Sequence, residues 1–166
     1  MALEIERKFL VANDDWRASA GVGEMFTEGL LARMARGKVR IRRSAQIAWI
    51  TVKGPKQGIS RAEFEYAIPV ADADQMLADL CNGPLIEKTR FRIPHDDVVW
   101  EVDEFAGALT GLVIAEVELR TDDQPFRLPA WVGREVTADA NFSSAALIRR
   151  ITLAAGPCLR DVSAGH

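Results

Sequence analysis

The chain has 166 residues, of which 21 are Lys or Arg and 24 are Asp or Glu, so the formal net charge is −3. This length suits one domain or two small ones, and a hydrophobic content of 48% excludes a disordered or low-complexity chain. The slightly negative charge also argues against a general nucleic-acid binder, which is usually basic. The composition leaves open whether the many charges are scattered over the surface or arranged in a site.

Several classes of protein are disfavoured by features that the sequence lacks. No run of about 18 apolar residues predicts a transmembrane helix, and residues 1–6 lack the basic-then-apolar layout of a signal peptide. Cys81 and Cys158 do not suggest a disulfide framework. His95, in a predicted turn, and His166, at the last position, argue against a histidine zinc site or a Ser-His-Asp triad. We therefore expect a cytoplasmic protein that binds neither a membrane nor nucleic acid.

Alternation of apolar and polar residues with a period of two dominates the chain and predicts β-strands. It appears first in residues 2–11, where Leu3 and Ile5 alternate with Glu4 and Glu6. The same pattern predicts further strands at 38–43 and 47–53, between Gly58 and Pro69, and at 86–93, 98–105 and 112–120. A strand-like segment at about 25–35 and a last short segment at 132–137 are also predicted to be strands. The hairpin-like spacing of these segments favours antiparallel pairing.

Two segments change to the helical period. The first covers residues 72–81, with Asp72 as the expected N-terminal cap. The second begins at the cap Ser143 and continues to about residue 155. These two helices are the expected cover for part of the apolar surface of the strands.

Sixteen charged residues fall on one face of the predicted strands, as eight acids and eight bases. Such a face on a single strand is usually solvent-exposed, but here it holds few of the Thr, Ser, Gln and Asn residues typical of a solvated face. The acids are Glu4, Glu6, Glu63, Glu65, Glu101, Asp103, Glu116 and Glu118, and the bases are Lys8, Arg40, Arg42, Lys53, Arg61, Lys88, Arg90 and Arg92.

The acids occur in pairs, as Glu4/Glu6, Glu63/Glu65, Glu101/Asp103 and Glu116/Glu118. Like charges that are neighbours on one strand face repel each other, which destabilises a plain surface sheet. Such pairs are tolerated where a hard divalent cation such as Mg²⁺ or Mn²⁺ neutralises them. The pairs therefore indicate a metal site, although Glu101 and Asp103 could instead pair with arginines.

The bases are clustered as well, and clustered bases of this kind bind polyanions such as phosphate chains. Acids for a metal and bases for phosphate are together typical of a metal–polyphosphate site. An α+β, mainly β fold with an eight-stranded antiparallel closed β-barrel would hold both groups in its interior. The alternation alone does not say which face is inside. We expect one domain over residues 1–156 and a flexible tail over 157–166.

The same charged residues form an ordered set of short motifs. They are Glu4-Ile5-Glu6-Arg7-Lys8, Arg40-x-Arg42, Thr51-x-Lys53, Arg61-x-Glu63-x-Glu65, Lys88-x-Arg90, Glu101-x-Asp103 and Glu116-x-Glu118. This set resembles the CYTH superfamily, the triphosphate tunnel metalloenzymes, over about residues 2–150. The short single-domain layout is most similar to the bacterial inorganic triphosphatases of that superfamily.

The resemblance implies an eight-stranded tunnel and a hydrolase that acts on a triphosphate with Mg²⁺ or Mn²⁺. The implied reaction is hydrolysis of inorganic tripolyphosphate to pyrophosphate and phosphate. The implied metal ligands are Glu4, Glu6, Glu116 and Glu118, with Glu63 and Glu65 for a second metal or the attacking water. The implied substrate-binding residues are Lys8, Arg40, Arg42, Lys53, Arg61, Lys88 and Arg90. Lys8, Glu63 and Glu65 are the candidate catalytic residues, and Lys8 would transfer a proton only if its pKa were depressed.

Alternatives remain open at this point. The chain departs from the family's frequent Gln-Gly-Tyr-Leu motif, because Glu28-Gly29-Leu30-Leu31 stands there and lacks the tyrosine hydroxyl. One alternative is adenylyl cyclase chemistry, or hydrolysis of a nucleoside or thiamine triphosphate. Another is a non-catalytic module that binds polyphosphate or nucleotides. The expected partner is a small-molecule triphosphate, and the chain is expected to be a monomer or a homodimer.

Overall fold

The structure is a computed structural model that describes residues 3–154. It contains nine strands, two α-helices and three short 3₁₀ helices in that range. The strands are β1 (Leu3–Val11), β2 (Glu24–Met34), β3 (Gly37–Arg43), β4 (Ala48–Lys53), β5 (Ser60–Ile68), β6 (Ile86–His95), β7 (Val98–Phe105), β8 (Val113–Glu118) and β9 (Val132–Glu135). The α-helices are α1 (Val70–Asp79) and α2 (Ser144–Ala154).

The hydrogen bonds of the antiparallel sheet close into a ring of eight strands, in the order β1-β5-β4-β3-β2-β6-β7-β8 and back to β1. Strand β1 closes the ring because it pairs with two neighbours along its length. Its first residues pair with β5, where Glu4 lies opposite Arg61, and its later residues pair with β8, where Lys8 lies opposite Glu116. Strand β9 adds to β1 beside the ring. The predicted closed antiparallel sheet of eight strands is confirmed.

The largest apolar core lies on the outward faces of β1, β6, β7 and β8. At its centre is Trp100, which is fully buried. The Trp100 ring centroid lies 5.4 Å from that of Phe9, 5.9 Å from that of Phe126 and 5.7 Å from that of Trp131. Because this core uses the apolar side of the alternating strands, the charged side is left to face the interior of the ring.

Helix α1 covers a second part of the outer surface, where Ala73 and Leu77 pack against Ile41 and other apolar residues of β2–β4. The helix begins at Val70, so the prediction that Asp72 is its cap is wrong. The carbonyl of Pro69 accepts the first helical hydrogen bond, from the amide of Ala73. This bond places Asp72 in the first turn, where its charge is favourable to the helix dipole.

Helix α2 lies elsewhere than predicted. Instead of covering an outward face, its Leu147 packs against Ile86, Phe105 and Ile114, which line the interior of the ring at one end. These inward positions are apolar, so burial against the helix is more favourable there than contact with water. The predicted cap Ser143 is confirmed, since its hydroxyl accepts a hydrogen bond from the amide of Ala146.

The predicted end of α2 at residue 155, the predicted tail at 157–166 and Cys158 and His166 lie outside the described residues. Within residues 3–154, no helix combines the length and the apolar character needed to span a membrane.

We expect Trp100→Ala to lower the free energy of unfolding by about 3–5 kcal/mol, because it leaves a cavity among three aromatic rings. Urea unfolding followed by circular dichroism measures this loss. Met25, which is 74% exposed, provides the control, and Met25→Ala should change the same free energy by less than about 0.5 kcal/mol. A loss below about 1 kcal/mol for Trp100→Ala would show that this aromatic cluster is not the main core.

Candidate active site

The ring encloses a cavity of about 880 Å³, within the usual range for a small-molecule site. All sixteen of the charged residues that the sequence places on one strand face line this cavity. Four further charged residues, Glu28, Lys38, Asp97 and Arg120, line it as well. The interior is therefore polar on nearly every strand. At the end next to α2, the apolar residues Phe142 and Leu147 also line the cavity.

Strand β1 supplies Glu4, Glu6 and Lys8 to the cavity, because alternate residues of a strand face the same side. The change of pairing partner along β1 gives each of the three a different neighbour. Glu4 lies opposite Arg61 on β5, whereas Glu6 lies opposite another carboxylate, Glu118, on β8. The first predicted motif thus spans a cationic and an anionic part of the wall.

Carboxylates crowd together around Glu6. Burial, together with the nearby charge of Glu116, raises the pKa of Glu6 to about 7. Burial and the charges of Glu4 and Glu101 also raise the pKa of Glu118. Glu116 differs because Lys8, at 2.6 Å, and Arg90, at 3.0 Å, outweigh the effect of burial and hold its pKa well below the usual range. The β1–β8 wall therefore carries more negative charge than its cations offset.

A second cluster lies where β1 meets β5. The ammonium of Lys53 lies 2.8 Å from Glu4 and 2.7 Å from Glu63, and Arg61 also donates to Glu4. Burial alone would raise the pKa of Glu4, but Lys53 and Arg61 outweigh it and hold that pKa below its usual range. Burial and the neighbouring Glu4 raise the pKa of Glu63. Glu63 is therefore easier to protonate than Glu4, although both contact the same lysine.

Glu65 is held by two donors. Arg42 donates to both of its oxygens, at 3.1 and 3.0 Å, and the hydroxyl of Thr51 donates to one of them at 3.0 Å. Thr51 is fully buried on β4, directly opposite Glu65 in the register. The guanidinium of Arg42 also lies 4.8 Å from the ring centroid of Trp49. These contacts fix the carboxylate of Glu65 more firmly than that of Glu63.

On the opposite wall, Asp103 is almost fully buried and is held by two cations. Lys88 donates to it at 2.7 Å, and Arg90 makes a two-pronged contact at 2.6 Å with each oxygen. Arg90 also bonds to Glu101. This arrangement agrees with the alternative in which Glu101 and Asp103 pair with arginines. Arg92 is 60% exposed, as expected of a residue at the rim.

The charged cavity residues outside the sixteen of the sequence pattern include Glu28 and Lys38. Glu28 is buried and lies 3.0 Å from both Arg40 and Lys88, so it joins β2 to β3 and β6. These cations outweigh burial and hold the pKa of Glu28 below its usual range. Lys38 precedes Arg40 by two positions on β3 and faces the same cavity. The sequence signal for this position is that Lys38 shares one strand face with Arg40 and Arg42 in the alternating pattern.

The carboxylates have the right chemistry for a divalent cation, since Mg²⁺ and Mn²⁺ prefer oxygen ligands. The raised pKa values of Glu6, Glu63 and Glu118 fit this chemistry, because a cation would offset the charge that the lysines and arginines leave. Among residues 3–154, no three acid, histidine or cysteine side chains are grouped closely enough to enclose an ion. Several carboxylate oxygens are instead occupied by Lys8, Lys53 and Arg61.

Lys8 does not meet the condition that proton transfer requires. Burial lowers its pKa, but the charges of Glu116 and Glu6 outweigh burial and raise the pKa above the usual lysine value. Lys8 therefore stays protonated in this structure and presents a positive charge to the cavity. This favours its other predicted role, in which it contacts phosphate.

We expect Glu6→Gln to raise the free energy of unfolding of the metal-free protein at pH 8 by roughly 1–3 kcal/mol. Folding raises the pKa of Glu6, so the ionised side chain destabilises the folded state above about pH 7. The difference between variant and wild type should shrink as the pH falls from 7 through 4.5, below which Glu6 is protonated in both states. Urea unfolding in EDTA over this pH range measures it.

Glu87 provides the matched control, because it is an exposed glutamate on β6 that does not line the cavity. Glu87→Gln should leave the pH dependence of the wild type unchanged. A Glu6→Gln variant that is less stable than the wild type at pH 8 would contradict the crowding of carboxylates around Glu6.

Comparisons with known proteins agree with this geometry. The CYTH domain matches residues 2–151. An inorganic triphosphatase of Acetivibrio thermocellus is 42% identical over 149 residues, which cover 90% of this chain and 95% of that protein. An inorganic triphosphatase of Nitrosomonas europaea is 36% identical over 153 residues, which cover 87% and 95%. A solved structure of an inorganic triphosphatase superposes with a TM-score of 0.61 at 32% identity and covers 87% of this chain and 96% of that one. The chain belongs to the CYTH domain family.

Proposed function

We propose that the chain is an inorganic triphosphatase that hydrolyses tripolyphosphate to pyrophosphate and phosphate with Mg²⁺ or Mn²⁺. The observation that carries this proposal is the single cavity in which the carboxylates of β1 and β8 face the lysines and arginines of β3–β6. A linear triphosphate with its metal presents negative oxygens to the lysines and arginines and a cation to the carboxylates. Both parts of the wall can therefore bind it. The two similar triphosphatases named above support the same substrate.

Substrate binding is assigned to the cations of the wall, which are Lys8, Arg40, Arg42, Lys53, Arg61, Lys88 and Arg90. They belong to five of the strands that enclose the cavity, so they can contact a phosphate chain from several sides. Fixing the chain in this way positions the reacting phosphorus and offsets the charge on its oxygens. Arginines suit this role because their planar fork matches two phosphate oxygens at once.

Metal binding is assigned to Glu4, Glu6, Glu116 and Glu118, with Glu63 and Glu65 available to a second ion. A bound divalent cation would supply charge neutralisation at the phosphoryl oxygens. The carboxylates would have to exchange contacts for this to happen. Lys8 and Lys53 now contact Glu116 and Glu4 and would turn towards phosphate when the substrate enters. Before the substrate binds, the internal ion pairs thus neutralise these charges and hold the side chains inside the ring.

The reaction breaks one P–O–P bond and forms one bond between phosphorus and a water oxygen. The leaving phosphate keeps the electron pair of the broken bond, and the water loses a proton. We assign the orientation of this water to Glu65 and acceptance of its proton to Glu63. Glu65 is fixed by Arg42 and Thr51, whereas Glu63 has a raised pKa and so holds a proton more readily than an ordinary glutamate.

Two other activities are outcomes of the same test. Adenylyl cyclase chemistry would release cyclic AMP and pyrophosphate from ATP, and a nucleoside or thiamine triphosphatase would release phosphate from its own substrate. A binding module would bind tripolyphosphate without turning it over. The charged residues that line most of the cavity favour the substrate that consists of phosphate alone.

The test is incubation of the purified protein with Mg²⁺ or Mn²⁺ and one of three substrates, tripolyphosphate, ATP or thiamine triphosphate. We expect phosphate and pyrophosphate to form fastest from tripolyphosphate, as followed by phosphorus NMR. Cyclic AMP from ATP, or binding of tripolyphosphate without its hydrolysis, would contradict the proposal.

We expect Glu6→Gln to lower kcat for tripolyphosphate by about 100-fold or more, because it removes a charged ligand from the proposed metal site. Retained circular dichroism would show that the fold is intact. Glu87→Gln, which makes the same chemical change outside the cavity, should leave kcat within about twofold of the wild type. Full activity of Glu6→Gln would remove Glu6 from the metal site.

We further propose that the enzyme is cytoplasmic and acts as a monomer or a homodimer. Neither proposal alters the assignment of the site, since all the residues assigned to it are described residues of one chain. Sedimentation velocity measures the number of chains per particle.

A further inference from the structure

We propose that Lys38 is an additional substrate-binding residue, which contacts the phosphoryl group at the end of the cavity next to the β2–β3 hairpin. This inference rests on the proposed triphosphate substrate. Lys38 lines the cavity at the start of β3, two positions before Arg40 and four before Arg42. These three residues therefore form one row of cations along a single strand face.

Lys38 differs from the other lysines of the cavity because it has no acidic partner among the residues that the structure describes. Each of the other three contacts a carboxylate, with Lys8 at 2.6 Å from Glu116, Lys53 at 2.7 Å from Glu63 and Lys88 at 2.7 Å from Asp103. Within residues 3–154, no carboxylate lies within 4.0 Å of the Lys38 ammonium and no acceptor bonds to it. The charge of Lys38 is thus not neutralised by an ion pair with any described residue.

The positively charged neighbours of Lys38 repel it and so destabilise the folded state. The residue directly opposite on β4 is Lys53, and like charges that face each other across a strand pair are destabilising. The charged groups that bear on Lys38 are Arg33 opposite it on β2, Arg40 on its own strand, Lys53 on β4, Arg61 on β5 and Lys8 on β1. Burial, Arg61 and Arg40 lower the pKa of Lys38 to about 7.

An anion bound at this end of the cavity would remove this destabilisation. It would offset the repulsion between Lys38, Lys53 and Arg61 at once, and it would accept a hydrogen bond from an ammonium that bonds to no acceptor among residues 3–154. A terminal phosphoryl group carries more charge than an internal one, so it gains most from such a cluster. Lys38 therefore adds a contact for the substrate without having to leave an ion pair first.

Binding is tested with bis(methylene) triphosphonate, an analogue of tripolyphosphate whose P–C–P links are not hydrolysed. Titration calorimetry at pH 6.5 with Mg²⁺ should show that Lys38→Gln weakens binding roughly tenfold. Lys38→Arg, which keeps the charge, should bind within about threefold of the wild type. Rescue by arginine distinguishes a contact with the anion from a purely structural role of the side chain.

Arg36 provides the matched control, because it is an exposed cation on the same hairpin that does not line the cavity. Arg36→Gln removes the same charge and should leave the Kd of the analogue within about twofold of the wild type. Equal weakening by Arg36→Gln and Lys38→Gln, or no weakening by Lys38→Gln, would overturn the proposal for Lys38.

The binding test separates this inference from the proposed hydrolysis. A wild type that binds the analogue with the expected loss in Lys38→Gln, but does not turn over tripolyphosphate, supports Lys38 and contradicts the triphosphatase. Turnover of tripolyphosphate together with unchanged binding in Lys38→Gln supports the triphosphatase and overturns the role of Lys38. Failure of the wild type to bind the analogue would also overturn the role of Lys38.

Discussion

The structure depends on the neutralisation of opposite charges inside a closed ring of strands. A buried charge without a partner is costly, so turning sixteen charged residues inward is possible only if most of them contact each other. Lys53 between Glu4 and Glu63, and Asp103 between Lys88 and Arg90, are the clearest cases. The near-cancellation of charge in the composition thus reflects in large part a balance within one cavity.

The same balance prepares the cavity for its proposed ligands. Each ion pair holds a carboxylate beside a cation, and a triphosphate with its metal offers each member a stronger partner. The pairing is incomplete in two places. Carboxylates remain in excess around Glu6 and Glu118, and cations remain in excess around Lys38. These two places are where an added cation and an added anion would each lower the free energy most.

Most strands and their charged faces follow from the sequence, because period-two alternation is strong in the strands of the ring other than β2. Which face is inside does not follow from alternation, since a charged face can equally contact water. The motif set from Glu4 to Glu118, through its resemblance to a known superfamily, decided that question. Helix α2 was misplaced because the apolar residues that receive it, such as Ile86 and Ile114, are in phase with the charged face. Lys38 was missed because the motif set does not include it, although it is in phase with Arg40 and Arg42. Glu28 was missed because its neighbours on the same strand face, Phe26 and Leu30, are apolar.

Carboxylates of β1 and β8 are proposed to hold a divalent cation inside the ring while lysines and arginines hold a phosphate chain. A crystal structure of the protein with Mn²⁺ and bis(methylene) triphosphonate tests it most directly, since anomalous scattering locates the manganese. We expect a manganese peak inside the cavity, in contact with Glu6 and at least one of Glu4, Glu116 and Glu118, with the triphosphonate against Arg40 and Lys53. Manganese and triphosphonate bound only on the outer surface of the strands would contradict the claim.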